Sequence, residues 1–264
     1  MADGAPSAAL RLSLAAIIGG VRALGPCRRP VAACIGTAWY AGVGAEGRAR
    51  AAANHRRLAP EIDQATARRR ARRSYVEYVA MILDAIWAEP LSKAQLRSLL
   101  DVRGFEHLEA ASEGAVLAIA HFGNWDIAAS GALALGVPLT TVMAPIGSEA
   151  MTQLVMVSRR RKGLDLHTPA AAARGLVRAL HQGRKVALMV DIPEAGPTVV
   201  VQYCGGPVVV SVVPARLAAA QHVPILPVAC WRQGNRWQLF IGAPMSVSRG
   251  EEADTMAQLA AVLE

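Results

Sequence analysis

"GAVLAIAHFGNWDIAAS", residues 114–130, contains six consecutive apolar residues, Ala115 to Ala120, then His121, four intervening residues and Asp126. An unbroken apolar run of this length reads as a strand of a parallel sheet covered on both faces. His121 then stands at the carboxyl end of the strand. Asn124 is a good cap for a following helix, and Asp126 falls in that helix's first turn, where the dipole favours a carboxylate. On one continuous helix, residues five apart sit about 140° from each other and share no face. A strand followed by a helix instead sets both groups at the carboxyl edge of the sheet, where open α/β sheets bind ligands.

Further along, "KVALMV" (Lys185 to Val190) repeats the buried-strand pattern and ends at Asp191. Strands are also predicted at "PLTTVM" (138–143), "PILPVAC" (224–230) and "RWQLFIG" (236–242). Helices are predicted at Asp126 to Leu135, Met151 to Lys162 and Ala171 to Gln182. The first hundred residues read as Ala-rich helices broken at Pro30, Pro60 and Pro90, with Tyr75, Val79, Ile82 and Ile86 on one helical face. The predicted class is α/β: a mixed, largely parallel central sheet flanked by helices, with an N-terminal helical membrane-binding extension. No internal repeat or low-complexity linker divides the 264 residues, so a single domain over 1–264 is expected.

Composition narrows the function classes. Hydrophobic residues make up 53% and charged residues 18%, which argues against disorder. The formal net charge of +8, carried largely by arginines such as Arg48, Arg50, Arg56, Arg57 and Arg68 to Arg70, calls for an anionic partner. Aromatics reach only 5%, too few for a stacking surface, so a lipid surface fits better than nucleic acid. Leu12 to Val21, "LSLAAIIGGV", is bounded by Arg11 and Arg22 and is too short to span a bilayer. It reads either as an interfacial helix within residues 1–30 or as a core helix. Ala195 to Ala215 is uncharged, but Gly205-Gly206-Pro207 and the β-branched runs "TVVVQY" and "VVVSVV" make it strands rather than a span. Cys27, Cys34, Cys204 and Cys230 form no CxxC pair and read as reduced core cysteines of a cytoplasmic protein; no metal cluster is visible. "GVGAEG" (42–47) matches a dinucleotide fingerprint. It lacks a preceding strand and has Ala67 where the acid belongs, so a helix–helix turn explains it better.

An Asp able to accept an imidazole N–H fixes the tautomer and stabilises the imidazolium formed when His takes a proton. His121 and Asp126 are thus either a general base with its orienting partner or a hydrogen-bonded structural pair. No G-x-S-x-G elbow is present, which favours direct transfer over a covalent intermediate. His107 and His167, with no acidic partner at useful spacing, read as surface or packing residues.

The segment His-Phe-Gly-Asn-Trp-Asp, within "VRGFEHLEAASEGAVLAIAHFGNWDIAA", resembles the HX4(D/E) motif of the lysophospholipid acyltransferase superfamily. It is most similar to the branch of the lipid A lauroyl/myristoyl acyltransferases and the phosphatidylinositol mannoside acyltransferases. "AAANHRRLAP", "RRRKGLDL" and "GGPVVVSVVPARLAAAQHVPILPVAC" resemble further segments of that family, so the likeness covers about residues 30 to 245. The resemblance implies transfer of a fatty acyl chain from acyl-CoA or acyl-carrier protein to a hydroxyl of a membrane glycolipid or lysolipid. It implies no cofactor beyond the donor, and a cytoplasmic face of the inner membrane as the place of work. His121 would be the general base and Asp126 its partner, with Asn124, Arg159, Asp191 and Glu194 binding substrate. Asp191-Ile192-Pro193-Glu194 departs from the family's D-x-D pattern, and "QYCGGP" stands where Phe-Phe-Gly is usual, which bears on the acyl pocket. Relatives also continue through a further helix after the position of Glu264. N-acylation of a lipopeptide or secondary metabolite, and a catalytically silent lipid-binding protein on the same scaffold, are the alternatives.

Overall fold

The computed structural model describes residues 8–193 and 196–264, so Glu194 lies outside the described residues. The chain forms two compact units: a helical one, Ala15–Pro90, joined by Cys204–Gly206, and an α/β one built from Leu91–Tyr203 and Pro207–Glu264 with the start of the first helix.

The helices of the first hundred residues are α1 (Ala8–Leu24), α2 (Arg28–Gly42), α3 (Gly44–Leu58) and α4 (Gln64–Ala88). With the single 3-10 turn Gly25–Cys27, α1 and α2 make a helical stretch, Ala8–Gly42, long and apolar enough to cross a membrane; only 12% of its most apolar window is buried. Pro30 does not break this region as the sequence suggested. It lies in the first turn of α2, where a missing N–H leaves no bond unmade. The "GVGAEG" stretch is the junction of α2 and α3, as expected.

Small residues let α2 and α4 approach closely. A Cβ built on Gly36 would sit 2.5 Å from the Val76 Cα, so only glycine allows this crossing. Ala32, Val79 and Ala80 bury beside it, and Ala52, Ala67 and Ala71 form a second cluster. The predicted face of α4 therefore shifts: Val79 is buried, but Ile82 is 39% exposed, because alanines rather than the bulkier residues face inward. Arg28 pairs with buried Asp84 at 2.7 Å and lies 4.2 Å over the Trp87 ring, so two buried charges satisfy each other.

The α/β unit runs α5 (Lys93–Ser98), β1 (Leu100–Arg103), α6 (Phe105–Ala110), β2 (Ala115–Gly123), α7 (Trp125–Ala134), β3 (Leu139–Val142), α8 (Glu149–Arg161), β4 (Asp165–His167), α9 (Pro169–His181), β5 (Lys185–Met189), β6 (Thr198–Tyr203), β7 (Gly206–Ser211), α10 (Val213–Gln221), β8 (Ile225–Gln233), β9 (Arg236–Ile241) and α11 (Glu252–Leu263). Seven strands form one sheet in the order β1-β9-β8-β2-β5-β3-β4, and β6 pairs with β7 separately. Within the large sheet β8 and β9 run antiparallel and the other pairs are parallel. The predicted α/β class with a largely parallel, helix-flanked sheet is therefore what the chain forms. The edge strands β1 and β4, four and three residues long, escaped the sequence reading because so short a run carries no period.

β2 lies at the centre, flanked by β5 and β8. Its apolar run is buried on both faces, with Val116, Ala118 and Ala120 joining Leu180, Val186, Ile225, Met256 and Leu259 in the main core. The β2–β5 register pairs Ala115 with Lys185 and Ile119 with Met189. That register fixes what stands at the carboxyl edge.

Candidate active site

Carried two residues beyond Ile119–Met189, the same register sets Asp191 beside His121. One carboxylate oxygen of Asp191 accepts the His121 backbone N–H at 2.8 Å, and the other lies 2.8 Å from the ring Nδ1. Burial opposes the charge on Asp191. The side-chain and backbone bonds from His121 outweigh it and hold the carboxyl below the ordinary carboxylate value. A charged Asp191 makes Nδ1 the donor, so the tautomer set by this network leaves Nε2 with a free lone pair. The imidazole side chain is 34% exposed and meets Trp125 edge-to-face at 5.0 Å.

Asp126, which the sequence assigned to the imidazole, is elsewhere. Its two oxygens take Arg159 Nε at 2.8 Å and a terminal guanidinium nitrogen at 3.2 Å. The physical reason is the length of β2. Phe122 and Gly123 continue the strand before α7 begins at Trp125, so the first turn of the helix reaches the last turn of α8 rather than His121. Asn124 caps α7 as expected, its Oδ1 accepting the Ile127 N–H at 3.0 Å. The turn depends on Gly123. Its φ is +64°, a Cβ there would fall 1.9 Å from the Cys230 carbonyl oxygen, and the Asn124 N–H bonds that same oxygen at 2.7 Å.

Of the sequence-derived candidates, the structure thus brings together His121 with Asp191 and Asp126 with Arg159. A signal for the first pair did exist: two buried apolar runs of matching length each end on a titratable residue, and neighbouring parallel strands align such ends. Beside Asp191 opens a narrow apolar cleft of about 20 Å³, walled by Ala120, Val190, Tyr203, Val210, Met256 and Leu263 among others. The Tyr203 hydroxyl reaches the Leu263 carbonyl at 3.5 Å.

Other groups sit outside this site. His107 Nδ1 lies 3.1 Å from the Ile241 carbonyl. His167 packs on Gly175 and, contrary to the sequence reading, has an acid within 3.6 Å, Asp165 on its own strand. None of the four cysteines is in a disulfide, but the core reading holds only for Cys230; Cys27 and Cys34 are exposed. Burial pushes the Cys230 thiol up to about 12.

A parallel sheet bearing an imidazole–carboxylate pair at its carboxyl edge defines an α/β protein equipped for proton transfer. A profile of the bacterial lipid A biosynthesis acyltransferase family matches residues 5–264, and the chain belongs to that family. Its curated relatives include the phosphatidylinositol mannoside acyltransferase of Mycobacterium tuberculosis, 30% identical over 166 residues, which covers 60% of this chain and 52% of the relative. The phosphatidylinositol mannoside acyltransferase of Mycolicibacterium smegmatis is 27% identical over 187 residues, covering 68% of this chain and 62% of the relative. The chain therefore spans little more than half the length of these relatives.

Proposed function

We propose that this protein is an acyltransferase moving a fatty acyl chain from an acyl thioester, acyl-CoA or acyl-carrier protein, to a hydroxyl of a membrane glycolipid or lysolipid. The observation that carries this reading is the His121–Asp191 pair at the sheet edge, with Nε2 free and an apolar cleft beside Asp191. Nε2 takes the proton of the acceptor hydroxyl as its oxygen attacks the thioester carbonyl. The tetrahedral oxyanion collapses and expels the thiolate, which receives the proton back from the imidazolium. Asp191 holds the ring and stabilises the imidazolium throughout. The hydrocarbon chain would enter the apolar cleft.

Asp126 serves by a different route from the one its spacing implied: it locks Arg159, whose guanidinium would meet a phosphate or sugar of the acceptor. Asn124 shapes the turn between base and helix, and Glu194, outside the described residues, is assigned to acceptor binding by the family resemblance alone. The relatives' names favour a phosphatidylinositol mannoside type of acceptor. Residues 1–264 would act as one acyltransferase domain at the cytoplasmic face of the inner membrane, with the long apolar α1–α2 stretch at the lipid surface.

The test is cleavage of palmitoyl-CoA by wild type, His121→Ala and Asp191→Ala, with and without a membrane lipid extract, followed by mass spectrometry of the lipids. A new acylated lipid formed only by wild type supports the reading. Unchanged cleavage in both variants would refute the base assignment.

A further inference from the structure

Large apolar side chains exposed on the α/β unit are not scattered. Among the described residues from 91 to 264, they are Phe122, Ile146, Met151, Ile192, Val200 and Val209, together with Val262 of α11. Phe122 is the next-to-last residue of β2, Ile192 follows β5, and Ile146 and Met151 follow β3. These three strands are consecutive neighbours in the sheet, so their chains leave its carboxyl edge side by side. None of the exposed residues lies on the loops that enter β2, β3, β4, β5 or β8 at the opposite edge. Single exposed apolar residues need no explanation, but four of them, Phe122, Ile146, Met151 and Ile192, on neighbouring segments at the edge that carries His121 do.

Two further facts show that the ring is built. The backbone N–H of Ile146 donates to buried Thr152 at 2.8 Å, and the Thr152 hydroxyl lies 3.1 Å from the Ile146 carbonyl, which holds this loop outward on α8. The β6–β7 hairpin is tied to the end of β5 by Ser211 N–H on the Val190 carbonyl at 2.9 Å, and its two ends are closed on each other by Val212 N–H on the Pro197 carbonyl at 3.0 Å. The hairpin buries Val201 and Val210 and turns Val200, 62% exposed, and Val209 outward. Beside this ring, the last turn of α8 presents exposed Arg160 and Arg161 next to the Arg159 that reaches Asp126.

We propose that Phe122, Ile146, Met151, Ile192 and the outer valines of the hairpin form a collar that inserts into the interfacial layer of an anionic bilayer, so that the mouth of the His121 site opens onto lipid. The occupant follows from charge: an apolar ring beside the arginine-rich last turn of α8 matches acidic headgroups over acyl chains. This contact is separate from the α1–α2 stretch. Its meaning for catalysis rests on the acyltransferase reading; its geometry does not.

A polarity-sensitive dye on Ile192→Cys, in a full-length chain carrying Cys27→Ser, Cys34→Ser and Cys204→Ser, tests the collar. Vesicles of phosphatidylcholine and phosphatidylglycerol containing a doxyl-labelled lipid supply the quencher, and Ser112→Cys, on the loop entering β2, supplies the opposite-edge control. Quenching at position 192 but not at 112 is expected, with vesicle affinity falling about tenfold in the double variant Met151→Asp/Val209→Asp. Three results would overturn the proposal: vesicle binding without quenching at 192, equal quenching at both positions, or no vesicle binding. Dye protection by a dimer without vesicles would assign the ring to a second copy instead. Palmitoyl-CoA cleavage by the wild type in detergent is run alongside. Quenching without cleavage would leave the collar and remove the acyl-transfer reading, and cleavage without quenching would do the reverse.

Discussion

Asp191 accepts two N–H bonds from one residue, the ring and the backbone of His121, so its charge fixes both the tautomer and the position of the imidazole. Asp191→Asn keeps the shape but presents an amide in place of one acceptor. A fall in kcat of about 10³-fold is expected, with acceptor KM little changed, because the wrong tautomer leaves no base. Asp126→Ala should act differently, raising acceptor KM by about tenfold through release of Arg159. Arg159→Ala should match it, and the double variant should cost no more than either alone. Steady-state kinetics with varied acceptor separates the two patterns. Linkage gives a second check. The Asp191 carboxyl is held below its ordinary value, so its contribution to stability is complete above the unfolded value of about 3.9 and is lost as pH falls through the lower folded value. The gap in Tm between wild type and Asp191→Asn should be present above that range and close below it. For the thiols, native alkylation at pH 8 followed by mass spectrometry should label Cys27 and Cys34 and spare Cys230, whose thiol is buried and raised to about 12. At this scale the sequence told which residues matter more readily than which residues touch. His121, Asp126, Arg159 and Asp191 were all visible, but the pairing depended on a strand register that single-chain spacing does not encode.

Among the elements, the strand–turn–helix at 115–134 was legible because a six-residue apolar run, a capping Asn and an acidic first turn agree with one another. Its end was misjudged by three residues, from Ala120 to Gly123, and that small error moved Asp126 from the imidazole to the guanidinium. The Gly123 turn is the point most sensitive to change. Gly123→Ala meets both a left-handed φ and a Cβ overlap with the Cys230 carbonyl, so a loss of about 2–4 kcal/mol is expected in urea titration, together with loss of activity. In the helical unit, Gly36→Val would drive α2 from α4, where backbone rather than a flexible side chain is the obstacle, and should cost about 2–3 kcal/mol by the same measurement. Here the sequence misled in an instructive way. The apolar period of α4 was read correctly, but its inward side is chosen by the alanines and glycine that permit close approach, which hydrophobicity alone does not report.

Taken whole, the molecule joins a basic, Ala-packed helical unit to an α/β unit whose central strand carries the proposed base. The class of fold was readable from alternating strand and helix patterns, whereas the division into two compact units was not, since no linker or low-complexity stretch marks Pro90. The position of β2 has a consequence for how the chain is made. Its two sheet neighbours, β5 and β8, begin about 70 and 110 residues later in the sequence, after three and four more helices have been synthesised. During translation, therefore, this apolar strand emerges before either neighbour and waits with both edges open, and the imidazole lacks its Asp191 partner until residue 191 leaves the ribosome. Chains with such distant pairings fold slowly and expose adhesive edges. Ribosome-stalled nascent chains ending near residue 150 should accordingly bind holding chaperones that release those carried past residue 233.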